Sequence, residues 1–237
     1  EFTMKKLLFL VLISPYVLSA DNEIFIDQIG ATLNLNVEQL GSSNIVGGSA
    51  SVAGTPTALT LVGVTQTLEI NQIGDSNEFL GDIVSDSITG QFDFDGDTNT
   101  FDVNFDATNT FGADSADIVV DVAGSTNTFA LNVGTASLAS QLDLDWTIQG
   151  TGNSITAAID VDQSVNFMSL DGDSNTVTFD SDGADTGFFK LEQTGNSRTF
   201  NVEQQSLLSP DWLQIDSTGN SGTVCVIQND AGTAVGC

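Results

Sequence analysis

The chain reads as an all-β solenoid made of coils about 22 residues long, each built from two half-coils of roughly 11 residues. Three observations predict it. The stretch Gln39-Leu40-Gly41-Ser42-Ser43-Asn44 recurs as Gln72-Ile73-Gly74-Asp75-Ser76-Asn77, and its Gly-x-x-Asn part recurs at Gly96 and Asn99, Gly124 and Asn127, Gly150 and Asn153, and Gly172 and Asn175. The glycines at 30, 41, 63, 74 and 96 are spaced by steps of 11, 22, 11 and 22. Beyond residue 20 apolar and polar residues alternate with the period of a strand, and almost no window has the period of a helix.

The first residues form a separate unit. Lys5 and Lys6 give a basic start, the run 7–18 is mostly apolar but too short to span a bilayer, and Ser19-Ala20 is a small-residue cleavage site. This pattern predicts a secretory signal peptide over 1–20, with Glu1-Phe2-Thr3 preceding its Met, and a mature repeat domain over 21–237.

Within the repeat domain the clearest alternation runs from Gln91 to Asp106. Phe92, Phe94, Asn99, Phe101, Val103 and Phe105 share one face, and Asp93, Asp95, Thr98, Thr100, Asp102, Asn104 and Asp106 share the other. The residue two after each anchor Asn is apolar: Val46, Phe79, Phe101, Phe129, Ile155 and Val177. Half-step anchors at Asn109 and Asn166 give Phe111 and Met168 in the same way. Stacked coils turn these residues into one inner stripe, removed from water at roughly 25 cal/mol per Å².

The anchors face inward with that stripe. A buried amide must be hydrogen-bonded, and Asn side chains in register can bond the coils above and below. The predicted ladder comprises Gln39, Gly41, Asn44, Gln72, Gly74, Asn77, Gly96, Asn99, Gly124, Asn127, Gly150, Asn153, Gly172 and Asn175, continued by Asn196 and Asn220. Glycine supplies the positive φ each corner needs. At about 4.8 Å per coil, eight or nine coils make a rod on the order of 40 Å long. The segment 47–57 is either an irregular coil or a linker, and Ser209-Pro210 interrupts the pattern before a C-terminal cap at about 211–237.

Composition narrows the function. The chain of 237 residues has 32 acidic side chains, four basic ones, no His and a net charge of −28. Only Lys190 and Arg198 are basic beyond residue 20. Nucleic-acid binding needs clustered Lys and Arg, and an anionic membrane surface repels such a chain. Without His, the Ser-His-Asp and Cys-His sets are missing, and alternating outward Asp is the pattern of a solvated strand face. No enzyme is expected. Cys225 and Cys237, the two cysteines, can pair after export.

The motif Gln-x-Gly-x-x-Asn, carried by Gln39, Gly41 and Asn44 and by Gln72, Gly74 and Asn77, with a partial copy at Gln28-Ile29-Gly30, resembles the curlin repeat of secreted bacterial functional amyloid. The resemblance is clearest over 21–80. It implies an exported β-solenoid subunit that stacks into cell-surface fibres, passing through an outer-membrane channel and assembling on a nucleator. Beyond residue 80 the Gln position becomes Phe94, Val122, Ile148 and Leu170, which replaces polar ladders with an apolar core. That change suits a solenoid stable on its own.

The leading expectation is therefore a secreted structural subunit for adhesion or biofilm. The alternative is a discrete capped solenoid: an adhesin, an appendage or phage-fibre part, or a calcium- or ice-binding module. The turns Asp95-Gly96-Asp97 and Asp171-Gly172-Asp173 are the candidate calcium ligands, since hard cations take oxygen donors. Thr-Asn-Thr-Phe at 98–101, 108–111 and 126–129 is the candidate ice-binding array, although Thr also simply favours strands.

Overall fold

One tight corner repeats along the whole molecule, and it is where the chain changes from one wall of strands to the other. In this corner a Gly is followed by a variable residue, then by a third residue that in six corners is a Ser or Thr in the left-handed region and in one is Gly152, then by the inward residue. The computed structural model describes residues 22–52, 55–105, 115–134, 139–183, 187–206 and 211–230. They form parallel strands with no helix, wound into a β-solenoid of about seven turns with coils about 24 residues apart.

Wall A holds the strands that follow this corner. It runs β1 (Glu23–Phe25) and β2 (Asp27–Ile29), β4 (Ile45–Val52) with the start of β6 (Leu59–Ile73), the first half of β7 (Glu78–Asp95), then β8 (Thr100–Phe105), β10 (Thr128–Val133), β12 (Ser154–Ile159), β14 (Thr176–Gly183), β16 (Arg198–Ser206) and β18 (Gly222–Asp230). Wall B holds the strands that lead into it. It runs β3 (Thr32–Leu40), the rest of β6 and β7, β9 (Ser115–Ala123), β11 (Ala139–Gln149), β13 (Val161–Asp171), β15 (Gly187–Thr194) and β17 (Trp212–Thr218). Each wall is paired in parallel register from coil to coil.

The expected 22-residue step holds for some coils only. Successive inward anchors are separated by 33, 22, 28, 26 and 22 residues from Asn44 to Asn175. The glycines show the reason. Gly63 lies on Gly30 and Gly74 on Gly41, so the 22-residue interval from Gly41 to Gly63 joins two different corners and is not a coil. In the 33-residue step the extra chain loops out of wall A. There β4 and β5 (Thr55–Thr57) pair antiparallel through Gly48–Thr57 and Val52–Thr55, with 53–54 outside the described residues. In the later long steps the extra length falls, in sequence, between a wall A strand and the following wall B strand, outside the described residues.

Glycine is obligatory at the first corner. A Cβ on Gly96, at φ 153°, would overlap the carbonyl of Gly74. The third corner position was not foreseen. Ser43, Thr98, Thr126, Ser174, Ser197 and Ser221 all lie between φ 55° and 66°, where a β-branched or hydroxyl side chain is rarely found.

The interior is the stripe expected from the sequence. Val46, Phe79, Phe101, Phe129, Ile155 and Val177 are buried, and Phe200 extends the same column past Arg198. Met168 is also buried, whereas Phe111 and Asn109 lie outside the described residues. Phe101 is the hub of an aromatic cluster: its ring lies 5.8 Å from Phe79, 5.1 Å from Phe92, 5.9 Å from Phe94 and 6.3 Å from Phe129. Stacked, edge-on and tilted contacts of this kind add to the area term. Removing the ring opens a cavity that rigid strand walls cannot close. Phe101→Ala is expected to lower stability by about 3–5 kcal/mol, read as a fall in the urea midpoint. A loss under about 1 kcal/mol would mean that the coils collapse around the gap.

Candidate functional site

The sequence motif builds a polar column inside an apolar one. Asn44, Asn77, Asn99, Asn127, Asn153 and Asn175 are all buried. At the N-terminal end their amides form the predicted ladder. Asn22 Nδ2 donates to Asn44 Oδ1 (2.9 Å), Asn44 Nδ2 to Asn77 Oδ1 (2.9 Å), and Asn77 Nδ2 to Asn99 Oδ1 (2.8 Å). Beside it Gln72 Nε2 donates to Gln39 Oε1 (2.7 Å), and both side chains are buried.

Beyond Asn99 the bonding pattern changes. The backbone N–H groups of Asn99, Asn127 and Asn153 donate to the Oδ1 atoms of Asn127, Asn153 and Asn175 at 2.8, 3.0 and 3.0 Å. The Nδ2 groups of Asn99, Asn127 and Asn175 turn back to Gly96, Gly124 and Gly172 carbonyls at 2.6, 2.9 and 3.1 Å. Asn44 and Asn77 also bond their own corner glycines, so what ends beyond Asn99 is the amide-to-amide bond, and the amide still links two coils by accepting from the backbone of the coil before.

Asn196 and Asn220 do not continue this column. Both are exposed, on the outer position of the corner, where Asn220 N donates to Asn196 Oδ1 (2.7 Å) and Asn196 N to Asp173 Oδ1 (2.5 Å). The inward position belongs to Arg198 and then Gly222, which register with Asn175 and with each other. Arg198 is 8% exposed, and its guanidinium donates to the carbonyls of Gly195 and, at 3.3 Å, Thr218. Gly222 leaves the space that the Arg198 stem needs. Aligning the corners on Gly and the left-handed Ser, as Gly195-Asn196-Ser197-Arg198, is the sequence signal that locates the true anchor.

Asn166 is buried in the middle of β13, beside Leu144 and Phe189, so it is not a corner anchor. Cys225, on β18, is disulfide-bonded, while Cys237 and residues 1–21 lie outside the described residues. The C-terminal edge is open among the described residues: Val224 and Val226 are 50% and 43% exposed. At the other end Ile24, Leu33 and Leu35 are only partly buried. No described helix is long and apolar enough to cross a membrane.

The candidate calcium ligands are not brought together. Asp95 and Asp97 flank one corner, Asp171 and Asp173 another three coils further on. Asp97 Oδ1 accepts the Ser125 N–H at 2.9 Å, and Asp173 accepts from Asn196, so both carboxylates bond the adjacent corner. Among the described residues no three His, Cys, Asp or Glu side chains group as metal ligands.

Carboxylates do stack elsewhere, in rows the sequence did not reveal. Asp93 pairs in register with Asp121, Asp117 with Asp143, and Asp180 with Glu203. Partial burial and these neighbours raise the pKa values of Asp93, Asp145, Asp160 and Asp180 above the usual Asp range. Comparison with protein-family models, curated proteins and solved structures found no match for this chain. The fold alone defines its class, a parallel β-solenoid.

The raised carboxyls fix a pH dependence. Their folded pKa values exceed the unfolded ones, so the folded state binds more protons as pH falls toward the Asp range. Stability is expected to rise as pH falls from neutral through the raised carboxyl pKa values toward the usual Asp range, and with added salt, which screens the exposed part of the repulsion. Thermal melts across that range should show the midpoint climbing; a midpoint that falls steadily would contradict it.

Proposed function

We propose that this protein is a secreted structural subunit, similar to curlin-repeat proteins, whose copies stack end to end into extracellular fibres or matrix for adhesion or biofilm. The observation that carries the reading is the pair of parallel strand edges that the described residues leave open at the two ends of one column. Continuing the register past β18 sets Val224 and Val226 against Ile24 and Ile26 of a second copy, and Leu213 and Ile215 of β17 against Leu35 and Val37. Apolar inner residues meet apolar inner residues, and the open N–H and C=O groups of each edge find partners. Asn22, already bonded to Asn44, supplies an anchor at the incoming end. Export, an outer-membrane channel and a nucleator belong to the same proposal and rest on the curlin resemblance. Negative-stain electron microscopy of the mature chain, fresh and aged in saline buffer, tests it. Unbranched fibrils with a reflection at about 4.7–4.8 Å are expected; rods that never lengthen would overturn it.

One observation favours a second reading, a discrete solenoid that binds ice. Thr100, Thr128, Ser154, Thr176, Thr199 and Thr223 form a single register row on the outer face of wall A. Asp102 is the one carboxylate of the neighbouring outer row from β8 to β18. Such a row repeats hydroxyl and methyl groups at the strand spacing on a rigid surface. Thermal hysteresis in the soluble chain, lost in Thr128→Glu and Thr176→Glu variants, would support this reading, and its absence would remove it.

A further inference from the structure

Exposed apolar side chains gather on the outer face of wall B, from β13 to its last strand, β17. Val165, Phe167 and Trp212 are 39%, 40% and 43% exposed there. Phe188 lies between Val165 and Trp212 in register, its ring 5.3 Å from Phe167 and 4.3 Å from Trp212, stacked on the latter with the ring planes 3° apart. The same rows run on, coil by coil, into carboxylates. Val165 is followed by Asp143 and Asp117, and Phe167 by Asp145. Lys190, beside Phe167, is paired with Glu192. No other ion pair is formed among the described residues, so Asp117, Asp143 and Asp145 have no basic partner among them.

Two hollows flank this patch. One of about 590 Å³ is bounded by Gln141, Asp143, Gln163 and Phe188. The other, of about 310 Å³, is bounded by Asp145, Phe167 and Lys190. An exposed apolar patch rimmed by polar groups marks an interaction surface. Here one side is aromatic and the other is a bank of like charges, which repel one another until a cation arrives.

We propose that this face of wall B is a docking site for a polypeptide segment that carries a lysine or arginine beside an aromatic or aliphatic residue. The cation sits against Asp143 and Asp145, where it replaces repulsion with attraction. The apolar neighbour lies against the stacked rings of Phe188 and Trp212. Charge complementarity selects a basic peptide over a neutral glycan, which would use the rings and leave the carboxylates opposed. This site is on the side of the column and does not depend on stacking at its ends.

The two tryptophans make the site directly readable, since Trp146 is 2% exposed and Trp212 is 43% exposed. Titrating the full chain with the peptide Lys-Phe-Lys-Phe-Lys-Phe should give a saturable change in tryptophan emission. Joint Asp143→Asn and Asp145→Asn substitution should weaken binding by roughly tenfold or more, and Trp212→Ala should weaken it similarly by calorimetry. Trp212→Phe should restore binding, which separates loss of the ring from loss of the fold. Neutralising Asp180 and Glu203 on wall A should leave binding within about twofold. Equal weakening by the wall A substitutions would mean diffuse attraction to a polyanion and would overturn the site. So would equal binding of the Glu-for-Lys peptide, or binding of a neutral oligosaccharide that ignores the Asp143 and Asp145 substitutions.

Discussion

The close stacking of one corner on the next is the constraint from which the rest follows. At Gly96 and its counterparts the backbone of one coil rests on the backbone of the previous coil, with no room for a side chain. That contact sets the strand spacing and the parallel register of both walls. It also brings the anchor amides within bonding distance of one another. The corner carries strain, because six Ser or Thr residues hold left-handed φ angles. The strain persists because each corner is over-determined by the corners on either side. The buried Asn bonds backbone groups throughout, and near the N-terminus it adds amide-to-amide bonds between coils.

The second corner is stacked as closely where Gly63 rests on Gly30, but its length varies from coil to coil. Insertions enter there or as the β4–β5 hairpin, and the column absorbs them without losing the first-corner register. This also divides the outer surface. Wall A presents a row of hydroxyls close to the first corner, and wall B presents most of the stacked aspartates. A parallel in-register stack places like residues over like, so charge repulsion grows with regularity. The apolar stripe, with nine phenylalanines almost wholly buried, offsets it.

Much of this was legible in the sequence because the first corner is local. Gly, the hydroxyl residue and Asn lie within four positions, and the apolar residue two beyond Asn is fixed by strand alternation. The inner stripe and the anchors from Asn44 to Asn175 followed from that alone. What the sequence hid is whatever depends on register between distant coils. The row Asp117–Asp143 becomes visible only once the 26-residue step is known, and that step is set by an insertion with no pattern of its own. The same holds for Phe188 on Trp212. Asn196 and Asn220 misled for the opposite reason: two Asn stood near the expected spacing, but the corner glycine places each one in the wrong phase.

The proposed ends and the proposed side face are mechanically independent, and that independence has a consequence. Growth by strand addition consumes the edges of β1, β3, β17 and β18, and leaves walls A and B uncovered. Each added copy then repeats the aromatic and acidic patch of wall B along the fibre. A partner carrying several basic segments would meet the second patch as a tethered ligand, and its overall affinity would exceed that of any single contact. The replacement of Asn by Arg198 and Gly222 near the C-terminus fits this arrangement. It makes the two ends chemically different, with an Asn anchor at one and an open glycine site at the other, so a stacking interface is directional and polar. A fibre built this way would display every wall B patch with the same orientation along its length.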